Sequence, residues 1–178
     1  ERMSDRASAE QLKEACQDAA VTIKKVECKE KSEKPPALYD LTTLQRDANR
    51  LLGFTAQQTL DYLQSLYEKK LCTYPRTDSR YLTGDMADSL PVLVNLVASA
   101  MPFCKGIAIT CDPHTVINDK KVTDHHAVIP TRNLKDADLS ALPAGEKAVL
   151  ELVALRLMCA VAQPHVYSET VGIAACAG

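Results

Sequence analysis

The chain predicts an α+β fold, mainly helical, in which a helical block is inserted between two strand-bearing flanks. Three observations carry this expectation. Capped segments at helical spacing dominate residues 42 to 162, and the last of them, Glu146 to Ala162, is apolar nearly all round and so demands burial against other elements. Val21, Ile23 and Val26, with intervening lysines, read as a strand over 20–28, and a second strand follows at 166–176, so that strands stand at both ends of the block. A charged run closed by Pro35-Pro36 separates the first strand from the helices.

At 178 residues and 46% hydrophobic, the chain is long enough to bury a core and to hold one or two domains. A formal net charge of −2 excludes the global basic field of an autonomous nucleic-acid binder, so any nucleic-acid contact must be local. Lys69, Lys70, Arg76 and Arg80 supply a weak local cluster. The seven cysteines form an odd set with no Cys-x-x-Cys pair, which argues against both a zinc ribbon and a disulfide framework; most sit among apolar residues, as small core residues do in a reducing cytosol. Neither a signal peptide nor a long apolar run is present, so membrane insertion is unsupported and a cytoplasmic location is expected. Glu1-Arg2-Met3 leads directly into a helix and the last residues read as an unfinished strand, so the chain reads as a piece of a longer protein.

In order along the chain, Ser8-Ala9-Glu10-Gln11 fits a capping box and places the first helix at 9–19, with Leu12, Ala15, Cys16 and Ala19 on one face. The strand at 20–28 fades into Lys29-Glu30-Lys31-Ser32-Glu33-Lys34, read as a solvated linker or hinge. Thr42-x-x-Gln45 opens the second helix, with Leu44, Ala48, Leu51 and Leu52 inward and Gly53 at its C-terminal cap. Thr55-x-x-Gln58 opens the third, with Leu60, Leu63, Leu66 and Tyr67 inward. Two short capped helices joined by a glycine turn and followed by an extended segment are compatible with a helix-turn-helix or winged-helix unit. Asp85 to Met101 is helical in pattern, and Pro91 must kink it or start a second helix. Residues 102–124 are irregular, with strand-like pieces at 107–110 and 114–117. Pro164 ends the long helix and the second strand follows.

Chemistry concentrates between Cys72 and Leu82, where a phenol, two arginines, several hydroxyls and a carboxylate lie between two helical patterns. Pro75 pushes Tyr74 toward extended backbone, so that Tyr74 and Arg76, two apart, project from the same side of the segment. An arginine beside a phenol suggests a phosphate between them. A free tyrosine has a pKa of about 10, leaving roughly one molecule in a thousand ionised at pH 7, a gap of about 4 kcal/mol. A nearby guanidinium favours the phenolate and binds phosphate oxygens bidentately. Thr77 and Ser79 can donate to phosphate oxygens, and Asp78 can orient an arginine or a base. The plain alternative is a half-buried aromatic beside a solvated arginine.

Tyr74-Pro75-Arg76-Thr77-Asp78-Ser79 resembles the active-site signature of type IA DNA topoisomerases, and His125-His126-Ala127-Val128-Ile129-Pro130-Thr131 resembles the second signature of the same family. The Tyr-Pro-Arg and His-His forms look more like the topoisomerase III branch than the topoisomerase I branch. The resemblance implies that Tyr74 attacks a DNA phosphodiester to form a 5′-phosphotyrosine link, supported by Arg76 and His125, with Thr77, Asp78, Ser79, Arg80 and Thr131 contacting DNA. It also implies single-stranded DNA as substrate, no need for ATP, a possible helicase partner, and Mg²⁺ held by a separate N-terminal domain rather than by this chain. Residues 36–165 would be a winged-helix, CAP-like catalytic tyrosine domain, with 1–35 and 166–178 as flanking parts of an arch around a central hole.

Asp136-Ala-Asp138 imitates a carboxylate pair for a metal, but Ser140 stands where the family's Asp-x-Asp-x-Glu pattern has its third acid, so no metal ligands are assigned here. His126, His114 and His165 are read as structural. A non-catalytic winged-helix DNA-binding or interaction module is the alternative function; a tyrosine recombinase would bring several separated arginines around its tyrosine, and that layout is missing.

Overall fold

In the computed structural model, residue 3 and residues 5–176 are described, as five α-helices, several short 3₁₀ turns and one two-stranded sheet among those residues. The chain divides into two compact units, one made by its two ends, up to Glu33 and from His165, the other by Lys34–Pro164.

In the first unit, α1 (Arg6–Cys16) starts three residues earlier than the Ser8 capping box suggested. Asp5 is the cap instead: its carboxylate accepts from the backbone N–H of Ala7 and Ser8, and the Ser8 hydroxyl itself donates to Asp5. A carboxylate upstream outcompetes the serine. Leu12, expected on a packed face, is half exposed. The ribbon pairs β1 (Val21–Glu33) antiparallel with β2 (His165–Cys176), in register from Val21 opposite Cys176 to Glu33 opposite His165, with one irregularity between Ile23 and Lys25. The charged run read as a linker is therefore strand. Its charges face partners across the ribbon, as in the 2.6 Å Lys31–Glu169 ion pair, and a ribbon exposed on both faces accepts them without desolvation cost.

In the second unit, α2 (Leu41–Leu52) opens on Asp40, whose side chain accepts from Thr43 N–H while Thr43 answers Asp40 N–H. Thr42, the expected cap, lies inside the first turn. Gly53 closes the helix with φ 73°, the left-handed conformation that glycine adopts without penalty. The capping box of Thr55 with Gln58 starts α3 (Ala56–Glu68) where the sequence places it. Pro91 begins rather than kinks a helix: Gly84–Met86 is a 3₁₀ turn and α4 spans Leu90–Ala100 with Pro91 in its first turn. Residues 107–110 form no strand; within 114–117 lie the end of a 3₁₀ turn, Pro113–Thr115, and a single bridge from Ile117 to Leu82.

α5 (Ala144–Ala160) is the hub, burying Val149, Leu150, Val153, Ala154, Leu157 and Ala160 against α3, α2 and α4. Facing it are Leu44 and Ala48 of α2, Leu63 and Leu66 of α3, and Leu90, Val94 and Val97 of α4. Leu51, Leu52 and Tyr67, expected inward, are exposed at 54%, 37% and 39%; all three lie in the last turn of their helices, beyond the packed part of the face. The close approach of α5 to α3 depends on Gly145, where an added Cβ would come within 2.4 Å of the Tyr62 ring.

Candidate active site

Two segments 54 residues apart in sequence, at Thr73 and Ala127, are stitched side by side. Thr73 N–H donates to the Ile129 carbonyl at 3.0 Å and Thr131 N–H to the Leu71 carbonyl at 2.9 Å, around a bridge between Cys72 and Pro130. The Thr73 hydroxyl completes the join, donating to the Ala127 carbonyl and accepting from Ile129 N–H. On the other side of the pair, Ala127 N–H donates to the Tyr81 carbonyl and Val128 N–H to the Tyr39 carbonyl. The Ala127–Pro130 stretch is consequently buried, and the sequence signatures it connects cannot slide past one another.

This join places the His125 ring against that of Tyr74, with centroids 4.3 Å apart and planes tilted by 41°. Tyr74 is half-buried, whereas His125 and Arg76 are exposed. His126 turns away, its Nδ1 bonded at 2.8 Å to the Ala127 carbonyl, so adjacent histidines have different surroundings. Arg76 Nη1 donates to Gln64 Oε1 at 3.2 Å, and the Tyr67 ring meets the Tyr74 ring edge-on at 5.5 Å. Gln64 and Tyr67 thus stand against the expected site residues, contacts that sequence reasoning missed. They stand three apart on one face of α3, a spacing that an ordinary amphipathic helix also shows.

The remaining expected site residues divide by what their polar atoms touch. Thr77 is buried and its hydroxyl donates at 2.8 Å to the His125 carbonyl, holding the histidine's backbone. Ser79 is buried and bonded to the Lys121 carbonyl. Arg80 Nε donates at 3.0 Å to the Leu38 carbonyl, and the Thr131 hydroxyl donates to the Lys70 carbonyl. Asp78 alone of the five is exposed, and with Thr77 it lines a cavity. That cavity, about 500 Å³, is lined by Arg76, Asp78, Asp124 and His125, and by Asp40 and Thr42 at the start of α2. One guanidinium, that of Arg76, stands there among the carboxylates of Asp40, Asp78 and Asp124, and the Asp40 carboxylate already caps the start of α2.

No group of three or more His, Cys, Asp or Glu side chains capable of holding a metal occurs among the described residues. Asp138 Oδ1 accepts from both the backbone N–H and the hydroxyl of Ser140, which hold its carboxyl below the usual range, so Asp138 opens a local turn while Asp136 ends the 3₁₀ segment Arg132–Asp136. No helix among the described residues is long and apolar enough to cross a membrane.

Comparison with known proteins agrees with the geometry. A family model described as DNA topoisomerase matches residues 1–178. The DNA topoisomerase 3 of Shouchella clausii is 41% identical over 165 residues, covering 89% of this chain and 22% of that protein. The DNA topoisomerase 3 of Bacillus subtilis is 43% identical over 149 residues, covering 80% of this chain and 20% of that protein. The chain therefore spans about a fifth of the length of these relatives. Full-length topoisomerase I from Thermotoga maritima shares the fold, with a TM-score of 0.66 at 24% identity over 91% of this chain and 26% of that one. The joined signatures and these relatives lead to one conclusion: the chain belongs to the type IA DNA topoisomerase family, in its topoisomerase III-like branch.

Proposed function

We propose that this chain carries the cleavage and rejoining tyrosine of an ATP-independent topoisomerase acting on single-stranded DNA. The observation that supports it is the Tyr74–His125 ring contact, which unites two distant signatures beside Arg76. In this reading the Tyr74 oxygen attacks the phosphorus, the bond from phosphorus to the 3′-oxygen breaks, and the leaving oxygen takes up a proton. Rejoining is the reverse, and the energy of the broken phosphodiester is kept in the tyrosyl ester. Arg76 neutralises charge on the attacked phosphate with its planar fork, and His125 positions the phenol ring and can donate to the leaving oxygen. Asp78 meets DNA in the cavity. Thr77, Ser79, Arg80 and Thr131 shape that surface from behind, through the backbone carbonyls they hold.

The Lys34–Pro164 unit is read as the tyrosine domain with a winged-helix, CAP-like core, and the ribbon unit as part of an arch. Mg²⁺ assists such chemistry, but the described residues offer no ligand set for it, and its site is assigned to a part of the protein beyond these residues. A helicase partner and a place on the bacterial nucleoid belong to the same reading.

Within a complete topoisomerase 3 polypeptide that carries this segment, 3′-labelled single-stranded DNA should become covalently attached to protein on denaturing gels. Tyr74→Phe keeps the ring packing and should abolish the adduct while leaving non-covalent binding nearly intact; an adduct persisting in that variant rules out the assignment. The 178-residue chain alone should bind single-stranded DNA weakly without cleaving it. Metal-dependent relaxation by the chain itself, lost on Asp136→Asn, would overturn the placement of the metal.

A further inference from the structure

Two cysteines that the proposed chemistry does not use are held together in the ribbon unit. α1 ends at Cys16, Gln17 N–H returns to the Lys13 and Glu14 carbonyls, and Asp18 adopts φ 58°, reversing the chain within four residues. Ala19 N–H closes the reversal on the Cys16 carbonyl at 3.3 Å. The chain then enters β1, where Val21 is the register partner of Cys176. The Cys176 thiol consequently lies 3.8 Å from the Cys16 carbonyl oxygen and 3.9 Å from that of Ala19. Partial burial, and then the adjoining Cys16 thiol that hydrogen-bonds it, push the Cys176 thiol up. Both residues are half-buried, accessible to a small reagent but not freely mobile.

The other five cysteines are placed differently. Cys72 is fully enclosed, out of reach of a reagent in solution, and burial pushes its thiol up to about 12. Cys28 is exposed and accepts from the Thr170 hydroxyl, and Cys111 stands half-buried beside Asp112. Cys104 and Cys159 share the wall of an apolar cavity of about 250 Å³, one buried and one exposed, and form the competing pair.

We propose that Cys16 and Cys176 are a reversible oxidation site, forming a disulfide that ties the end of α1 to the end of β2 in the presence of a low-molecular-weight disulfide such as oxidised glutathione. One cysteine, as thiolate, attacks a sulfur of the reagent and releases one glutathione thiolate, leaving a mixed disulfide. The second cysteine attacks the protein sulfur of that mixed disulfide and releases the second glutathione. The two cysteines lose two electrons and two protons, and the reagent's sulfur–sulfur bond is reduced to two thiols. Because Cys16 and Cys176 lie at opposite ends of the chain, the link encloses the whole Lys34–Pro164 unit in a covalent loop.

The test is to incubate the 178-residue chain with oxidised glutathione, block free thiols under denaturing conditions, and map the digest by mass spectrometry. A cross-linked peptide joining Cys16 to Cys176, with loss of two of the seven alkylatable thiols and full recovery on reduction, is the expected result. In Cys16→Ser, Cys176 should stop at the glutathione adduct. A second readout needs no variant: after limited proteolysis within exposed residues 67–70, which leaves Cys104 and Cys159 on one piece, the two pieces should migrate together on a non-reducing gel only after oxidation. Cys16 and Cys176 both alkylated, or each carrying its own glutathione while Cys104 links to Cys159, would overturn the proposal.

Discussion

At Arg76 the guanidinium reaches Gln64 with one nitrogen while remaining exposed to the cavity, whereas Arg80 is fastened to the Leu38 carbonyl. The two arginines should therefore separate cleanly on substitution. Arg76→Lys keeps the charge but loses the planar fork, and DNA cleavage in the complete polypeptide should fall about tenfold or more. Arg80→Ala should instead lower stability by about 1 kcal/mol, the net value of one hydrogen bond, read as a shift in the urea midpoint of this chain. Equal loss of cleavage in Arg76→Lys and Arg80→Lys would reduce Arg76 to a member of a general basic patch. The candidates Tyr74, Arg76 and His125 stood out in the sequence because their signatures are contiguous strings of chemically unusual residues. Gln64 and Tyr67, which the fold sets beside them, did not, since nothing in an amphipathic pattern distinguishes one exposed face from another.

Among the elements, the join between 71–73 and 129–131 has one side chain at its centre. Thr73→Val preserves shape yet removes a hydroxyl that both donates to Ala127 and accepts from Ile129. A loss of about 1–3 kcal/mol is expected from the two backbone groups left without it, and cleavage should drop further than stability accounts for, because His125 is positioned through the same strand. Unchanged cleavage at full occupancy would separate the join from the chemistry. The tight α3–α5 approach gives a second expectation: Gly145→Ala must displace the Tyr62 ring and should cost about 1–3 kcal/mol, seen as a lower midpoint in chemical denaturation. Helix existence was readable from periodicity throughout, and the Thr55 box marked the start of α3 correctly. Helix starts at Asp5 and Asp40 were misplaced because each aspartate precedes a serine or threonine that fits a cap equally well in one dimension. The ribbon's charged half was hidden for another reason: strand patterns are recognised by apolar residues, and Lys29 to Glu33 has none to show.

Across the Lys34–Pro164 unit, a single polar network joins the entering segment, α2 and α5. Tyr39 is buried, donates to Asp47 at 2.7 Å and lies under the Arg156 guanidinium, which itself bonds both Tyr39 and Asp47. Burial, then the bond to Asp47, push Tyr39 up to about 12 from the usual 10.0. Its contribution to stability is thus fully present below pH 10.0 and is lost as pH rises toward about 12. Asp47 moves the other way: against the cost of partial burial, bonds from Tyr39 and Arg50 and the charges of Arg156 and Arg50 hold it below 3.8, so its contribution is present above that value and lost as pH falls beneath it. Denaturation midpoints measured across pH should decline at both ends, and Tyr39→Phe should flatten the alkaline limb. An alkaline limb unaltered in that variant would place the titration elsewhere.

The register of the ribbon ends with Glu33 opposite His165, and the second unit begins and ends one residue beyond them, at Lys34 and Pro164. Directly opposed strand residues stand about 5 Å apart between Cα atoms, so more than a hundred residues leave and re-enter at what is, for the ribbon, a hairpin tip. The unit is in that sense a removable cassette. A two-residue Asn-Gly turn could replace it and leave an unbroken hairpin, while the excised piece, its termini already neighbours, could be closed head to tail or opened at a surface loop without asking any helix to move.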